Sequence, residues 1–99
     1  MSKFLVLWEL DSTKLPTKPE EAIPLYIQQL NMVKEGFKKK TKSDWGKFAG
    51  SESGYSVCEG TAQEIDFELM KYSPYVKFKV FPVLSVDQVL ENVNSLSHA

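Results

Sequence analysis

The feature that most limits what this chain can fold into is a central hairpin, residues 45–60, with a helical pattern on each side of it. Trp45, Gly46, Lys47, Phe48 and Ala49 lead into the loop Gly50-Ser51-Glu52-Ser53-Gly54, and Tyr55, Ser56, Val57, Cys58, Glu59 and Gly60 return. Five residues with glycine at both ends is a common loop length between antiparallel strands and leaves room for positive φ. Beyond each helical pattern lies an apolar run, so the order reads strand, helix, hairpin, helix, strand.

The first apolar run is residues 4–10. Alternation puts Phe4, Val6, Trp8 and Leu10 on one face and Leu5, Leu7 and Glu9 on the other. Two apolar faces mark a central strand that is covered on both sides. The last run, residues 75–84, places Val76, Phe78 and Val80 on one face and Lys77, Lys79, Phe81 and Val83 on the other. Its lysines and Pro82 fit an edge strand.

Three capping boxes punctuate the helices: Thr17 with Glu20, Thr61 with Glu64, and Ser85 with Gln88. The first helix carries Ile23, Tyr26, Ile27, Leu30, Val33 and Phe37 at helical spacing, the stripe expected to lie on the sheet, with Leu25 and Met32 off it. Pro24 either sits in its first turn or bends it. The helix runs out into Lys38, Lys39, Lys40, Thr41 and Lys42, read as a solvated end that complements the helix dipole. In the second helix Ile65, Leu69 and Tyr72 face inward, Phe67 and Met70 flank them, and Ser73-Pro74 ends it. A terminal helix follows with Val86, Val89, Leu90, Val93 and Leu96 as its stripe, and Ser97, His98 and Ala99 fraying.

These elements make β-α-β-β-α-β, an α+β, ferredoxin-like arrangement with an additional C-terminal helix, in one domain over residues 1–99. Right-handed crossovers put the first and third strands at the centre of a four-stranded antiparallel sheet, with both helices on one face. Leu5, Leu7, Phe81 and Val83 are then left on the bare face. Each such side chain is worth about 1.5–3 kcal/mol when buried, against a total stability of about 5–15 kcal/mol. A homodimer joined through the sheet faces is therefore expected.

The order of elements, the opening run from Phe4 to Leu10, the Trp45 strand, the stretch from Gly54 to Glu59 and the ending Tyr75-Val76-Lys77-Phe78-Lys79-Val80-Phe81-Pro82-Val83-Leu84 resemble the domain-of-unknown-function 3303 family. That family is similar to the dimeric α/β-barrel superfamily, in which two such sheets close into a barrel. The resemblance covers nearly the whole chain and rests on apolar strands, so it implies a fold. The superfamily includes cofactor-independent monooxygenases, lactone isomerases, haem-handling enzymes and ligand-sensing modules, and the fold selects none of them.

The chemistry-bearing residues are few. The single histidine, His98, and the single cysteine, Cys58, offer no ligand spacing for a metal or haem, and Cys58 has no base beside it to make a nucleophile. The segment Gly50 to Gly54 lacks the lysine and following helix of a phosphate-binding loop. No cofactor is expected. A net charge of −1, with twelve lysines and no arginine, argues against a nucleic-acid or anionic-membrane partner. The first apolar run is too short for a membrane span, and a lone cysteine fits a cytoplasmic setting.

Two functional readings follow. One is a binding or interaction module for a small apolar ligand, in a closed pocket lined by Trp8, Tyr26 and Tyr72, with Trp45 and Tyr55 as further aromatic candidates and no titratable group inside. The other is a cofactor-free enzyme, of monooxygenase or isomerase type, acting on a small carbonyl or aromatic substrate. It would use Glu9 or Glu59 as the acid-base residue, which requires that carboxylate to point into the pocket. Surface pairing of Glu59 with Lys77 or Lys79 is the competing role.

Overall fold

The computed structural model describes residues 2–97. Its elements are β1 (Ser2–Leu10), α1 (Pro19–Lys38), β2 (Lys42–Lys47), β3 (Ser53–Gly60), α2 (Ala62–Met70), β4 (Val76–Val83) and α3 (Val86–Ser97). The fold is α+β: one open, antiparallel, four-stranded sheet in the order β2-β3-β1-β4, with β1 and β3 central and β4 at an edge. His98 and Ala99, expected to fray, lie outside the described residues, and Ser97 is the last helical one.

Period-two alternation sorts the sheet residues as their hydropathy requires. Phe4, Val6 and Trp8 are buried under the helices, where Phe4 and Val6 join Cys58, Ile65 and Leu69 in the core and Phe78 packs against them. Leu5, Leu7, Tyr55 and Val57 face the other way and are only half-buried, and Phe81 and Val83 beside them are exposed. In that open sheet one apolar face has no cover among the described residues.

The second and third capping boxes form. Thr61 Oγ1 accepts from the Glu64 amide at 3.1 Å while Glu64 Oε1 accepts from the Thr61 amide at 3.0 Å. Ser85 and Gln88 repeat the pattern at 3.1 and 2.8 Å. The first box does not form. The N-cap of α1 is Lys18, with no side-chain cap, because Pro19 takes the first helical position and its ring pushes the preceding residue into extended backbone. Helix α1 then runs through Pro24 for 20 residues, so Pro24 is not in its first turn.

The face that α1 turns inward also differs from the expectation. Ala22, Gln29 and Val33 are buried, whereas Ile23, Ile27, Leu30 and Phe37 are 42–54% exposed. Helix α1 leads straight into β2 through a tight C-terminal turn, a constraint of chain path that the spacing of apolar residues does not register. In that turn the Thr41 amide donates to Gly36 O and the Lys40 amide to Phe37 O, both at 3.1 Å, with Lys40 at φ 60°. This is a Schellman motif with lysine at the left-handed position usually held by glycine. The hairpin is likewise shifted: β2 begins at Lys42, not Trp45, with an irregularity between Lys42 and Asp44, and Gly50 holds positive φ in the loop.

Helix α3 stands apart. None of its residues is buried, and Val86, Val89, Leu90, Val93 and Leu96 are 46–76% exposed. The chain accordingly extends 62 Å along its longest axis, with a radius of gyration of 16.6 Å where a compact domain of this length has about 13 Å. No helix among the described residues is long and apolar enough to cross a membrane.

Candidate functional site

The cleft between α1 and the sheet exists because small residues lie where a packed core would have large ones. On β3 the floor beneath α1 is Gly54 and Ser56, and above it α1 offers Gln29 and Val33. Trp8 on β1 and Trp45 on β2 lean toward each other across β3 and stack, ring centres 5.3 Å apart and planes within 9°. Close approach requires Gly54: a Cβ there would come 2.5 Å from Trp8 Cζ2. The Trp8 indole N–H is anchored by donating to Tyr55 O at 3.3 Å. The opposite wall is Tyr72, edge-on to Phe78 at 5.8 Å. The resulting cavity of about 600 Å³ has Tyr26 and Leu30 on its α1 side and an overwhelmingly apolar lining.

Two polar groups interrupt that lining. Gln29 is 9% exposed, and its Nε2 has no hydrogen-bond partner. An unsatisfied buried donor costs about 1–3 kcal/mol, so this amide is poised for an acceptor. The second is Lys42. The Schellman turn delivers it at the start of β2, and Gly36 makes room for its stem: a Cβ on Gly36 would be 3.2 Å from Lys42 Cε. Burial pushes the Lys42 ammonium below its ordinary pKa, partly offset by Cys58 and Glu68. Burial also pushes the Tyr72 phenol up to about 12, reinforced by Glu68 and Cys58, so it keeps its proton at neutral pH. Lys47 and Glu52 are exposed and stand at the mouth.

Of the aromatic candidates, Trp8, Tyr26, Trp45 and Tyr72 come together here. Tyr55 does not. It alternates onto the bare sheet face, where its hydroxyl donates to Asp44 Oδ2 at 2.9 Å, a bond that holds the phenol's pKa above its usual value. Neither Glu9 nor Glu59 lines the cleft. Both belong to the bare face, and in the β1–β3 register Glu9 stands beside Ser53 while Glu59 stands beside Lys3. Six residues of strand, roughly 20 Å, separate them, so they form no dyad. Glu59 cannot pair with Lys77 or Lys79 because β1 lies between β3 and β4; Lys77 Nζ instead approaches Asp11 Oδ2 at 3.9 Å.

Sequence reasoning missed Gln29, Lys42 and Ser56. A glutamine seven residues from Ala22 and four from Val33 was the available signal for the first. Lys42 was hidden in the lysine run, and only a strand beginning there separates it from its solvated neighbours. The cleft also departs from the expected pocket in being open and in holding Lys42. Cys58 is buried in the core with its Sγ 3.7 Å from Ser56 Oγ. Among the described residues no group of three His, Cys, Asp or Glu side chains is arranged to hold a metal ion. No protein-family model matches the chain, and no curated protein matches it in sequence.

Proposed function

We propose that this chain is a ligand-binding module of ferredoxin-like topology that works as a homodimer and takes a small, largely apolar molecule into the cleft between α1 and the sheet. The observation that carries the reading is the unfilled apolar cleft itself, with the Trp8–Trp45 stack on one side, Tyr72 on the other, and the unpartnered Gln29 amide between. Sites for small molecules have this composition: aromatic walls with a few placed polar groups. An enzyme using Glu9 or Glu59 finds no support in this geometry, since both carboxylates lie on the other side of the sheet.

The dimer is supported by the uncovered apolar surfaces of the sheet and of α3. Leu5, Leu7, Phe81 and Val83 on the sheet, and Leu90 and Val93 among others on α3, are too much apolar area to leave in water. A second copy offers both surfaces reciprocally, as a two-fold interface requires. Charge agrees: the charged residues of α3 are Asp87 and Glu91, while the bare face carries Lys79 opposite Leu7 with no acidic neighbour in register. Such a sheet-to-sheet pair corresponds to the dimeric α/β barrel and to the resemblance with the domain-of-unknown-function 3303 family.

Tryptophan fluorescence is the direct test, because both indoles belong to the cleft. A panel of bicyclic aromatic compounds should include members that change the emission saturably, and Trp45→Ala should abolish that response. A panel without any saturable binder would overturn the ligand reading. Sedimentation velocity tests the assembly: a dimer is expected for the natural chain and a monomer for the Leu90→Glu, Val93→Glu double variant, and a natural chain that is monomeric at micromolar concentration would refute the dimer.

A further inference from the structure

Resting on the reading of the cleft as a ligand site, we propose that its ligand is an organic anion: a flat aromatic acid whose ring lies against the Trp8–Trp45 stack and whose carboxylate is received by the Lys42 ammonium and the Gln29 amide.

The polar nitrogens inside the cleft, on Gln29 and Lys42, are donors, and the Ser56 hydroxyl on its floor can donate or accept. The Gln29 side chain is nine-tenths buried, and its Nε2 carries two N–H groups with no hydrogen-bond partner among the described residues. Lys42 Nζ makes no hydrogen bond or ion pair with any described residue. The acidic groups that act on it are Cys58, a thiol, and Glu68, whose Oε1 is already 3.1 Å from Lys71 Nζ. The Tyr72 phenol keeps its proton and is a further donor in the same cleft. Among the described residues no carboxylate lies inside: Glu52, the one acidic residue of the lining, is exposed, as is Lys47. The lining residues therefore carry a net charge of +1, from Lys42 and Lys47 against Glu52.

An ammonium in an apolar cleft favours an anion over a neutral or cationic guest, since the guest's charge replaces the hydration that burial removed. A neutral hydrocarbon would fill the volume and leave both Lys42 and Gln29 unpaired. A cation would meet Lys42 with nothing to offset it. A polyphosphate is excluded by the wall, which has apolar rings where such ligands need backbone amides and several cations. What remains is one delocalised negative charge on a flat apolar body.

Isothermal titration of the full chain with three matched compounds decides the matter: naphthoate, naphthalenemethanol and naphthalenemethylammonium share one ring system and differ in charge. Naphthoate should bind about 10- to 100-fold more tightly than the alcohol, with the ammonium weakest. Lys42→Met should remove that preference, and a thermal unfolding midpoint no lower than that of the natural chain shows that the variant is folded. Gln29→Leu should weaken naphthoate several-fold by an independent route. If the alcohol or the ammonium binds as tightly as naphthoate, or Lys42→Met keeps the preference, the anion proposal falls while the ligand site stands. If none of the three binds, the ligand site falls with it.

Discussion

Two glycines of the hairpin allow a paired test of how the cleft floor is built. Gly54 faces the helices and Gly46 the bare side of the sheet, and each lies under an aromatic ring. A Cβ on Gly54 would overlap the carbonyl oxygen of Gly46 and stand 2.5 and 2.7 Å from Trp8 Cζ2 and Cε2. Backbone cannot swing aside, so the two hairpin strands must part and Trp8 must leave its stack with Trp45. Overpacking of this kind costs about 1–3 kcal/mol and a lost aromatic pair about 0.5–1.5 kcal/mol, so Gly54→Ala should lose about 1.5–4.5 kcal/mol. For a domain of this size that lowers the Tm by roughly 10–30 °C.

A Cβ on Gly46 meets only the far end of the Tyr55 ring, 2.5 Å from Cε1, and that ring is free to move outward. The cost there is the Tyr55 hydroxyl bond to Asp44, about 1 kcal/mol, against a gain of about 0.5–1 kcal/mol from replacing glycine in a strand. Gly46→Ala should therefore stay within about 1 kcal/mol of the natural chain. Thermal unfolding followed by far-ultraviolet circular dichroism measures both, and near-ultraviolet dichroism reports the indole stack. Equal losses for the two variants, or the larger loss at Gly46, would refute the account of the floor.

Three further outcomes follow from single residues. Lys42→Met should raise the Tm at neutral pH, because burial lowers the folded-state pKa of Lys42 below its ordinary 10.5 and so penalises the charged form. The penalty is present below the folded value and fades as pH rises from there to 10.5, so the advantage over the natural chain should shrink across that window; an advantage constant with pH would contradict it. Lys40→Gly should stabilise by about 1 kcal/mol, read as a higher urea midpoint with unchanged slope, since glycine takes the left-handed position of the Schellman turn without strain. Thr61→Ala should cost about 0.5–2 kcal/mol in the same urea titration. The Glu64 carboxylate, held below its usual pKa by the Thr61 amide, contributes stability above the ordinary carboxylate range that is lost as pH falls through its folded value. Glu64→Gln should lack that acid-side loss in urea titrations run at falling pH.

How much was legible in the sequence differs between sheet and cleft. Alternation in β1 and β4 told most of which side chains go under the helices: Phe4, Val6 and Trp8 are buried and Phe81 and Val83 are not, but Val80, assigned to the inner face, is 41% exposed. The Thr61 and Ser85 boxes were equally readable, because capping is a local exchange of hydrogen bonds within four residues. The same local rule failed at Thr17, where Pro19 moved the cap by one residue.

Periodicity, by contrast, identified α1 as an amphipathic helix without saying how it is rotated, and the greasier stripe of Ile23, Ile27 and Leu30 turned outward. Nor did it show that Lys42 leaves the lysine run for the cleft, or that Tyr55 and Glu59 face away from Trp8. Elements and their apolar faces are short-range properties that spacing carries. Rotation of a helix, the side of a sheet on which a residue near an irregularity emerges, and the meeting of Trp8 with Trp45 across Gly54 depend on contacts between residues far apart in the chain. The site consists of such contacts, so the tertiary structure alone brought Gln29 and Lys42 to one cleft.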